Sequence, residues 1–223
     1  MPKTSRSRYK IYKIFRIYKI YRTRLNGYIL KIVKSWSMEA FILAGGASSR
    51  MGTDKAQLRL GQQTFTERIT ETLSQLTDSV SIVDRAADVY PNWGALGGLH
   101  AALSACKRDW AIVVACDLPF VTPELFSKLA SLRADNDAVV PFQPDGRPQP
   151  LAAFYRVDPC RQRATELIEA GRRRPLDLLE IVKTRWVAFD EIRNLTQSER
   201  FFVNINTPDD YHEATRTGPD IES

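Results

Sequence analysis

Phe41-Ile-Leu-Ala-Gly-Gly-Ala-Ser-Ser-Arg-Met-Gly-Thr-Asp-Lys55 opens as a short apolar run and breaks into a loop of small residues with two cations, Arg50 and Lys55. The run Ala40 to Leu43 reads as a buried strand. A strand that ends in Gly45 and Gly46 lets backbone N–H groups approach a phosphate, because no Cβ stands in the way. Arg50 and Lys55 can then neutralise phosphate oxygens. The loop is not a P-loop: five residues separate Gly46 from Gly52, and Thr53-Asp54 precede the lysine. Nor is it GxGxxG. A flexible Gly/Ser turn with surface charges would explain a lone pair of glycines. The stretch taken as one unit favours a phosphate-binding loop.

Upstream, the chain changes character. Residues 1–37 hold eleven Lys or Arg and no acid. The 32 basic residues of the chain include those eleven, which leaves 21 against 26 acidic ones, so the formal +6 becomes −5 for the remainder. The basic character of the whole chain therefore belongs to its head. Cations recur every third residue from Lys10 to Arg22, which suits neither a helical face nor a strand. The head could be an anchor for anionic lipid or a nucleic-acid arm. A third reading, translated upstream sequence with Met38 as the start, is favoured. No apolar run is long enough to span a membrane, and no signal-peptide core is present.

Downstream of residue 37, 186 residues suffice for one domain with a sizeable core. The expected boundaries are 38–217 for the domain and 218–223 for a tail. Cys106, Cys116 and Cys160 are irregularly spaced, and His100 and His212 are isolated, so neither a disulfide framework nor a zinc site is expected. A reducing, cytoplasmic setting fits. Strand-like runs at 79–83, 110–115, 138–141, 151–155, 184–189 and 201–205 alternate with helical patterns at 66–76, 97–106, 123–133, 159–170 and 175–182. The alternation predicts an α/β fold: a three-layer, mostly parallel, Rossmann-like sheet with helices on both faces. Ligands of such sheets bind beyond the carboxyl ends of the strands, so the chemistry should sit just after them.

Three further stretches qualify. Asp88-Val-Tyr-Pro-Asn-Trp-Gly-Ala-Leu-Gly-Gly-Leu99 follows the second strand. Gly94, Gly97 and Gly98 permit close backbone approach, and the helix they open offers its N-terminus to an anion or a base edge. Ala115-Cys-Asp-Leu-Pro-Phe120 places Asp117 at the end of the most apolar strand. A carboxylate there is costly unless hydrogen-bonded or bound to a cation, which makes Asp117 the metal candidate. Mg²⁺ suits it, since that ion takes one or two carboxylates plus phosphate oxygens. A turn-capping Asp is the plainer alternative. Phe202-Val-Asn-Ile-Asn-Thr-Pro-Asp-Asp210 alternates like a strand, with Asn204 and Asn206 on one face, and then Thr207-Pro208 starts a helix.

These motifs together resemble the nucleotidyltransferases that build the guanine dinucleotide form of the molybdenum cofactor, the molybdenum cofactor guanylyltransferase family. The resemblance runs from Met38 to about Ala214. It implies the nucleotide-diphospho-sugar transferase type of fold, GTP as substrate, Mg²⁺ as cofactor, and molybdopterin as acceptor. It implies that Leu43, Ala44, Gly45, Gly46, Lys55, Asp88, Gly94, Gly98, Asn204 and Asn206 contact the nucleotide, and that Asp117 holds the metal. Asn92 and Ala95 stand where the family usually has Gly and Pro. The stretch between Val83 and Asp88 is short, and Asp84 is the residue that could stand in for a contact the family makes there. Gly146-Arg-Pro-Gln-Pro-Leu151 resembles the family's loop facing the pterin, with Arg147 toward its phosphate. Arg172-Arg-Arg174 could meet the same anion, although a charge run is more often a solvated turn.

The implied reaction is GMP transfer from GTP to the terminal phosphate of molybdopterin, with pyrophosphate leaving. Arg50, Lys55 and Asp117 are the expected catalytic residues. The partners implied are GTP, molybdopterin and, transiently, molybdoenzymes or their chaperones, with no nucleic acid; a monomer is expected. A cytidylyltransferase of the same pathway and a sugar-phosphate nucleotidyltransferase share the loop and the acid. Gly45 argues for guanine, since the family's cytidylyl branch usually carries Leu-Ala-Ala-Gly. A nucleotide-binding carrier without catalysis is the alternative from another class.

Overall fold

The computed structural model describes residues 38–44, 58–84, 90, 93–205 and 207–216. The basic head, the tail, Gly45, Gly46, Arg50, Lys55, Asp88 and Asn206 lie outside the described residues.

The two most apolar runs form adjacent strands. β1 (Met38–Leu43) and β5 (Trp110–Ala115) are parallel, with Met38 opposite Trp110 and Leu43 opposite Ala115. Such runs fit a strand buried on both faces. β2 (Arg59–Leu60) and β3 (Gln63–Thr64) form a separate antiparallel hairpin. β4 (Val80–Val83), β6 (Ala138–Pro141), β7 (Ala152–Arg156) and β8 (Thr184–Val187) complete a six-stranded sheet of order β4-β1-β5-β7-β6-β8. Only β7 runs against the others. The expected mostly parallel sheet is therefore present.

Alternation along the strands divides the core in two. Ala40, Ile42, Ile112, Val114, Ala152 and Phe154 face one side, against α1 (Phe65–Ser74) and α3 (Pro123–Ala130). Phe41, Leu43, Ala111, Val113, Ala153 and Tyr155 face the other, against α2 (Gly94–Ala105), α4 (Val157–Glu169) and α5 (Pro175–Ile181). Local chemistry starts the first pair. Thr64 caps α1 in a reciprocal box with Glu67, and Thr122 caps α3 with Pro123 in its first turn.

One expected strand is absent. Residues 201–205 form a turn and irregular chain after a short 3₁₀ helix at Ser198–Arg200. Phe201 N–H donates to Ser198 O at 3.3 Å and Val203 N–H to Arg200 O at 3.1 Å. Those donors are spent on local turns and cannot pair with a neighbouring strand. Phe201 and Phe202 are both buried in succession, which breaks the apparent alternation. The chain then enters α6 (Pro208–Arg216), where Asp210 N–H donates to Thr207 Oγ1 at 3.1 Å.

His100 lies between α2 and α4, buried, with the Tyr90 ring edge-on at 5.1 Å. Its Nε2 is 3.0 Å from Thr165 Oγ1, which itself donates to Arg161 O at 3.1 Å. The hydroxyl must therefore accept, so Nε2 carries the proton. The buried Nδ1 has no hydrogen-bond partner among the described residues. Burial, and secondarily the Arg161 charge, lowers the imidazole pKa from its ordinary value near 6.5. A lowered folded-state value means that protonation favours the unfolded chain. Stability should be full above about pH 6.5 and should decline as the pH falls through the folded-state value. Thermal melting from pH 7.5 to 5 should show this decline, and His100→Gln should flatten it.

Two buried thiols should be inert. Burial pushes Cys106 up to about 11 and Cys160 up to about 12, far from the thiolate state that reacts. An alkylating reagent at pH 8 should leave both unmodified in the native protein and label them after unfolding, as read by peptide mass mapping.

Candidate functional site

The rim formed by the carboxyl ends of β1, β4 and β5 gathers the described residues singled out from sequence. Leu43 O accepts from Cys116 N–H at 3.1 Å, and Ala44 N–H donates to Val83 O at 2.9 Å. The last residues of β1 are thus held between the ends of both neighbouring strands, one residue from Asp117 on one side and from Asp84 on the other. Asp117 is half-buried in the turn after β5, and its carbonyl accepts from Ile205 N–H at 3.2 Å. That bond brings exposed Asn204 to the same rim. Asn204 reaches this rim without the strand that was expected to carry it.

The start of α2 closes this corner. The helix begins at Gly94, three residues before the expected start, and Gly94 adopts φ +63°, which favours glycine. A Cβ on Gly97 would lie 2.9 Å from Trp93 Cβ and 3.2 Å from Tyr90 O, so the turn closes only around glycine. Gly98 packs on Leu43: a Cβ there would stand 3.5 Å from Leu43 Cδ1. The helix end has no side-chain cap, which leaves its first N–H groups and positive dipole end without a side-chain partner.

Two cationic segments reach the rim from the other half of the sheet. β7 descends, α4 climbs back, and the turn at residues 170–174 therefore arrives at the strand-end side. Arg172 makes a two-pronged ion pair with Asp177, Nε–Oδ2 3.0 Å and Nη2–Oδ1 2.7 Å. The Arg172 guanidinium holds the buried Asp177 carboxyl below the usual carboxylate range. Arg172 O accepts from Trp93 Nε1 at 2.8 Å, and the Arg173 guanidinium lies 4.7 Å from the Trp93 ring centre. The turn is therefore docked on the start of α2, although its arginines are exposed. Sequence reasoning missed this anchor. Trp93 and Arg172 are 79 positions apart, and no local pattern links them. Arg147, in the loop between β6 and β7, is exposed and paired with Asp145 at 2.6 Å.

Among the described residues no group of three or more His, Cys, Asp or Glu converges as an all-protein metal cage. A single half-buried carboxylate at a strand end fits Mg²⁺, which keeps waters and takes its other oxygens from a bound phosphate. Burial pushes the Cys106 and Cys160 thiols up, and His100 is packed away between helices, so these three groups take no part in the rim.

The chain matches known proteins over most of its length. Residues 40–184 match the family described as MobA-like NTP transferase domain. The chain is 32% identical over 181 residues to a probable molybdenum cofactor guanylyltransferase of Pelotomaculum thermopropionicum, covering 76% of this chain and 87% of that one. It is 35% identical over 197 residues to a protein of the same description from Chloroflexus aggregans, covering 78% and 91%. The crystal structure of molybdopterin-guanine dinucleotide biosynthesis protein A from Archaeoglobus fulgidus superposes with a TM-score of 0.67 at 27% identity, covering 80% of this chain and 97% of that one. The architecture is that of the nucleotide-diphospho-sugar transferase fold. A rim that joins the end of β1, the start of α2 and Asp117, on a chain with these relatives, identifies a member of the molybdenum cofactor guanylyltransferase family, a nucleotidyltransferase with a MobA-like NTP transferase domain.

Proposed function

We propose that the chain transfers GMP from GTP to the terminal phosphate of molybdopterin, giving molybdopterin guanine dinucleotide and pyrophosphate, with Mg²⁺ as cofactor. The observation that carries the reading is the adjacency of Leu43, Ala44, Asp117 and Asn204 on one rim, held by the bonds Cys116 N–H to Leu43 O and Ile205 N–H to Asp117 O.

A terminal phosphate oxygen of the acceptor attacks the α-phosphorus of GTP. A new P–O bond forms, the bond from the α-phosphorus to the bridging oxygen breaks, and pyrophosphate carries away the electron pair. No protein base is required, because a phosphate monoester with a second pKa near 6 is mostly dianionic at neutral pH. The obstacle is charge, since two polyanions must meet. A bound Mg²⁺ supplies Lewis-acid stabilisation of phosphate oxygens. Asp117 is the residue that would hold it. The chain at Ala44 and the N–H groups at the start of α2 bind and orient the nucleotide, with Gly98 packed on Leu43. Arg50 and Lys55, with Gly45 and Gly46, are assigned to the triphosphate, Asp88 and Gly94 to the guanine nucleotide, and Asn204 and Asn206 to phosphate or metal-bound water. Arg173, fixed on Trp93, and Arg147 offer cations toward the acceptor. The 186 residues after the head carry −5, so attraction must be local, not global. Transient delivery to a molybdoenzyme would follow.

Pyrophosphate release with molybdopterin and a panel of GTP, CTP and UTP tests the assignment. Release with GTP well above the others is expected; preference for CTP would replace guanylyl by cytidylyl transfer, and binding without release would indicate a carrier. Asp117→Ala should lower turnover by at least ~100-fold while GTP binding falls far less, because the metal acts mainly in the transition state. Equal losses in rate and in binding, measured by calorimetry, would refute the role.

A further inference from the structure

The loop between β6 and β7 carries a buried amide that the site as described does not use. Gln149 is only 7% exposed. Its backbone is engaged, with its N–H donating to Pro141 O at 2.8 Å and its carbonyl accepting from Ala152 N–H at 3.3 Å. Its side chain makes no hydrogen bond with any of the described residues. Among those residues the polar side-chain atom sealed from the surface without a partner is His100 Nδ1, so the Gln149 amide keeps an opening to the outside. An unpaired amide in so confined a place is costly until a partner arrives.

The loop holds that amide still. Pro148 and Pro150 flank it, and each fixes its own φ and restricts the residue before it. Phe142 and Pro148 form an antiparallel bridge, Gln143 N–H donates to Arg147 O at 2.8 Å, and the Tyr155 hydroxyl donates to Pro150 O at 2.7 Å. Little freedom is left to lose when a ligand binds.

The amide stands close to the reacting centre. Two residues after Gln149, Leu151 O accepts from Ala115 N–H at 2.9 Å, and two residues after Ala115 comes Asp117. Sheet order separates it from the nucleotide. β1 and β4, with the start of α2 beside them, lie on one side of β5, whereas β7 and β6 lie on the other. On that second side Arg147, two residues before Gln149, is already assigned to the acceptor.

A carboxamide presents a donor and an acceptor side by side. A phosphate, which only accepts, would use half of it. The full match is a lactam edge, a ring N–H next to a ring C=O, and both guanine and a pterin have one. We infer that Gln149 reads the lactam edge of the acceptor's pterin ring, with Nε2 donating to the ring carbonyl and Oε1 accepting from the ring N–H, and so sets specificity for the acceptor. The inference rests on the functional reading above and adds to it the side chain that recognises the acceptor's ring instead of its phosphate.

Gln149→Met keeps the shape and removes both polar atoms. Calorimetric titration with molybdopterin should give a dissociation constant raised by about tenfold or more, the weight of two neutral hydrogen bonds. Affinity for Mg·GTP should stay at the wild-type value. The melting temperature should not fall, because the amide has no partner to lose; a fall of several degrees would make it structural and overturn the inference. Gln149→Asn keeps the amide but withdraws it by one methylene, should weaken molybdopterin in the same selective way, and carries the test if Gln149→Met does not fold. In competition against molybdopterin on the wild type, unsubstituted pterin should displace better than 2,4-diaminopteridine, which lacks the lactam. Equal displacement by the two rings, or none by either, would overturn the inference, as would wild-type acceptor affinity in both variants or equal losses for acceptor and nucleotide. A loss confined to Mg·GTP would put guanine at the amide and overturn it too. A wild-type protein that binds no molybdopterin would overturn the functional reading and this inference with it.

Discussion

Leu43 and Ala115 face each other in adjacent parallel strands, and the rest of the site depends on that register. Because both strands end at the same level, the chain leaving β1 and the turn bearing Asp117 start side by side. A slip of one residue would turn every side chain of β1 to the opposite face and bring Phe41 and Leu43 against the wrong helices. The fully buried residues Ala40, Ile42, Ile112, Val113 and Val114 make such a slip costly, since each face has its own complementary packing. The core thus does chemical work at a distance. It specifies where two strand ends meet, and the polar groups just beyond inherit that spacing.

Much of this was readable in the amino-acid sequence. β1 and β5 announced themselves as apolar runs, and Asp117 stood out as an acid at the end of one. The helices expected at 66–76 and 123–133 are α1 and α3, whose starts the structure fixes by the caps Thr64 and Thr122. What escaped had physical causes. The start of α2 at Gly94 was missed because a helix opening with three glycines in five residues runs against propensity. Residues 201–205 imitated a strand because Val203, Asn204 and Ile205 alternate in polarity. Their burial is set by turns that no polarity pattern encodes. The reversed direction of β7 and the hairpin of β2 and β3 were equally silent, one being a question of topology and the other of two-residue strands.

The site itself divided along the same line. Residues singled out next to strand ends, Leu43, Ala44 and Asp117, lie on one rim, with Gly98 on the helix that packs on Leu43. Contacts between distant segments were not legible. Trp93 and Arg172 meet because a reversed strand and the helix after it return the chain to one end of the sheet, and the Tyr211 hydroxyl reaches Arg59 O across 152 positions. Such residues carry no signature of their own, since a Trp–carbonyl bond or a Tyr–carbonyl bond leaves no motif.

The reversed strand, β7, divides the rim into two halves that meet along β5. One half hangs from β1, β4 and β5. The other, the loop before β7 and the turn after α4, hangs from the far side of the sheet and is joined to the first through Trp93 and through Ala115 N–H, which donates to Leu151 O at 2.9 Å. Substitutions at the exposed arginines of the second half, Arg147 and Arg172 to Arg174, alter the charge presented there and leave the backbone bonds at the strand ends around Asp117 in place. A fold built this way can exchange one recognition surface while conserving its chemistry, in the manner of a tool with a fixed handle and changeable heads.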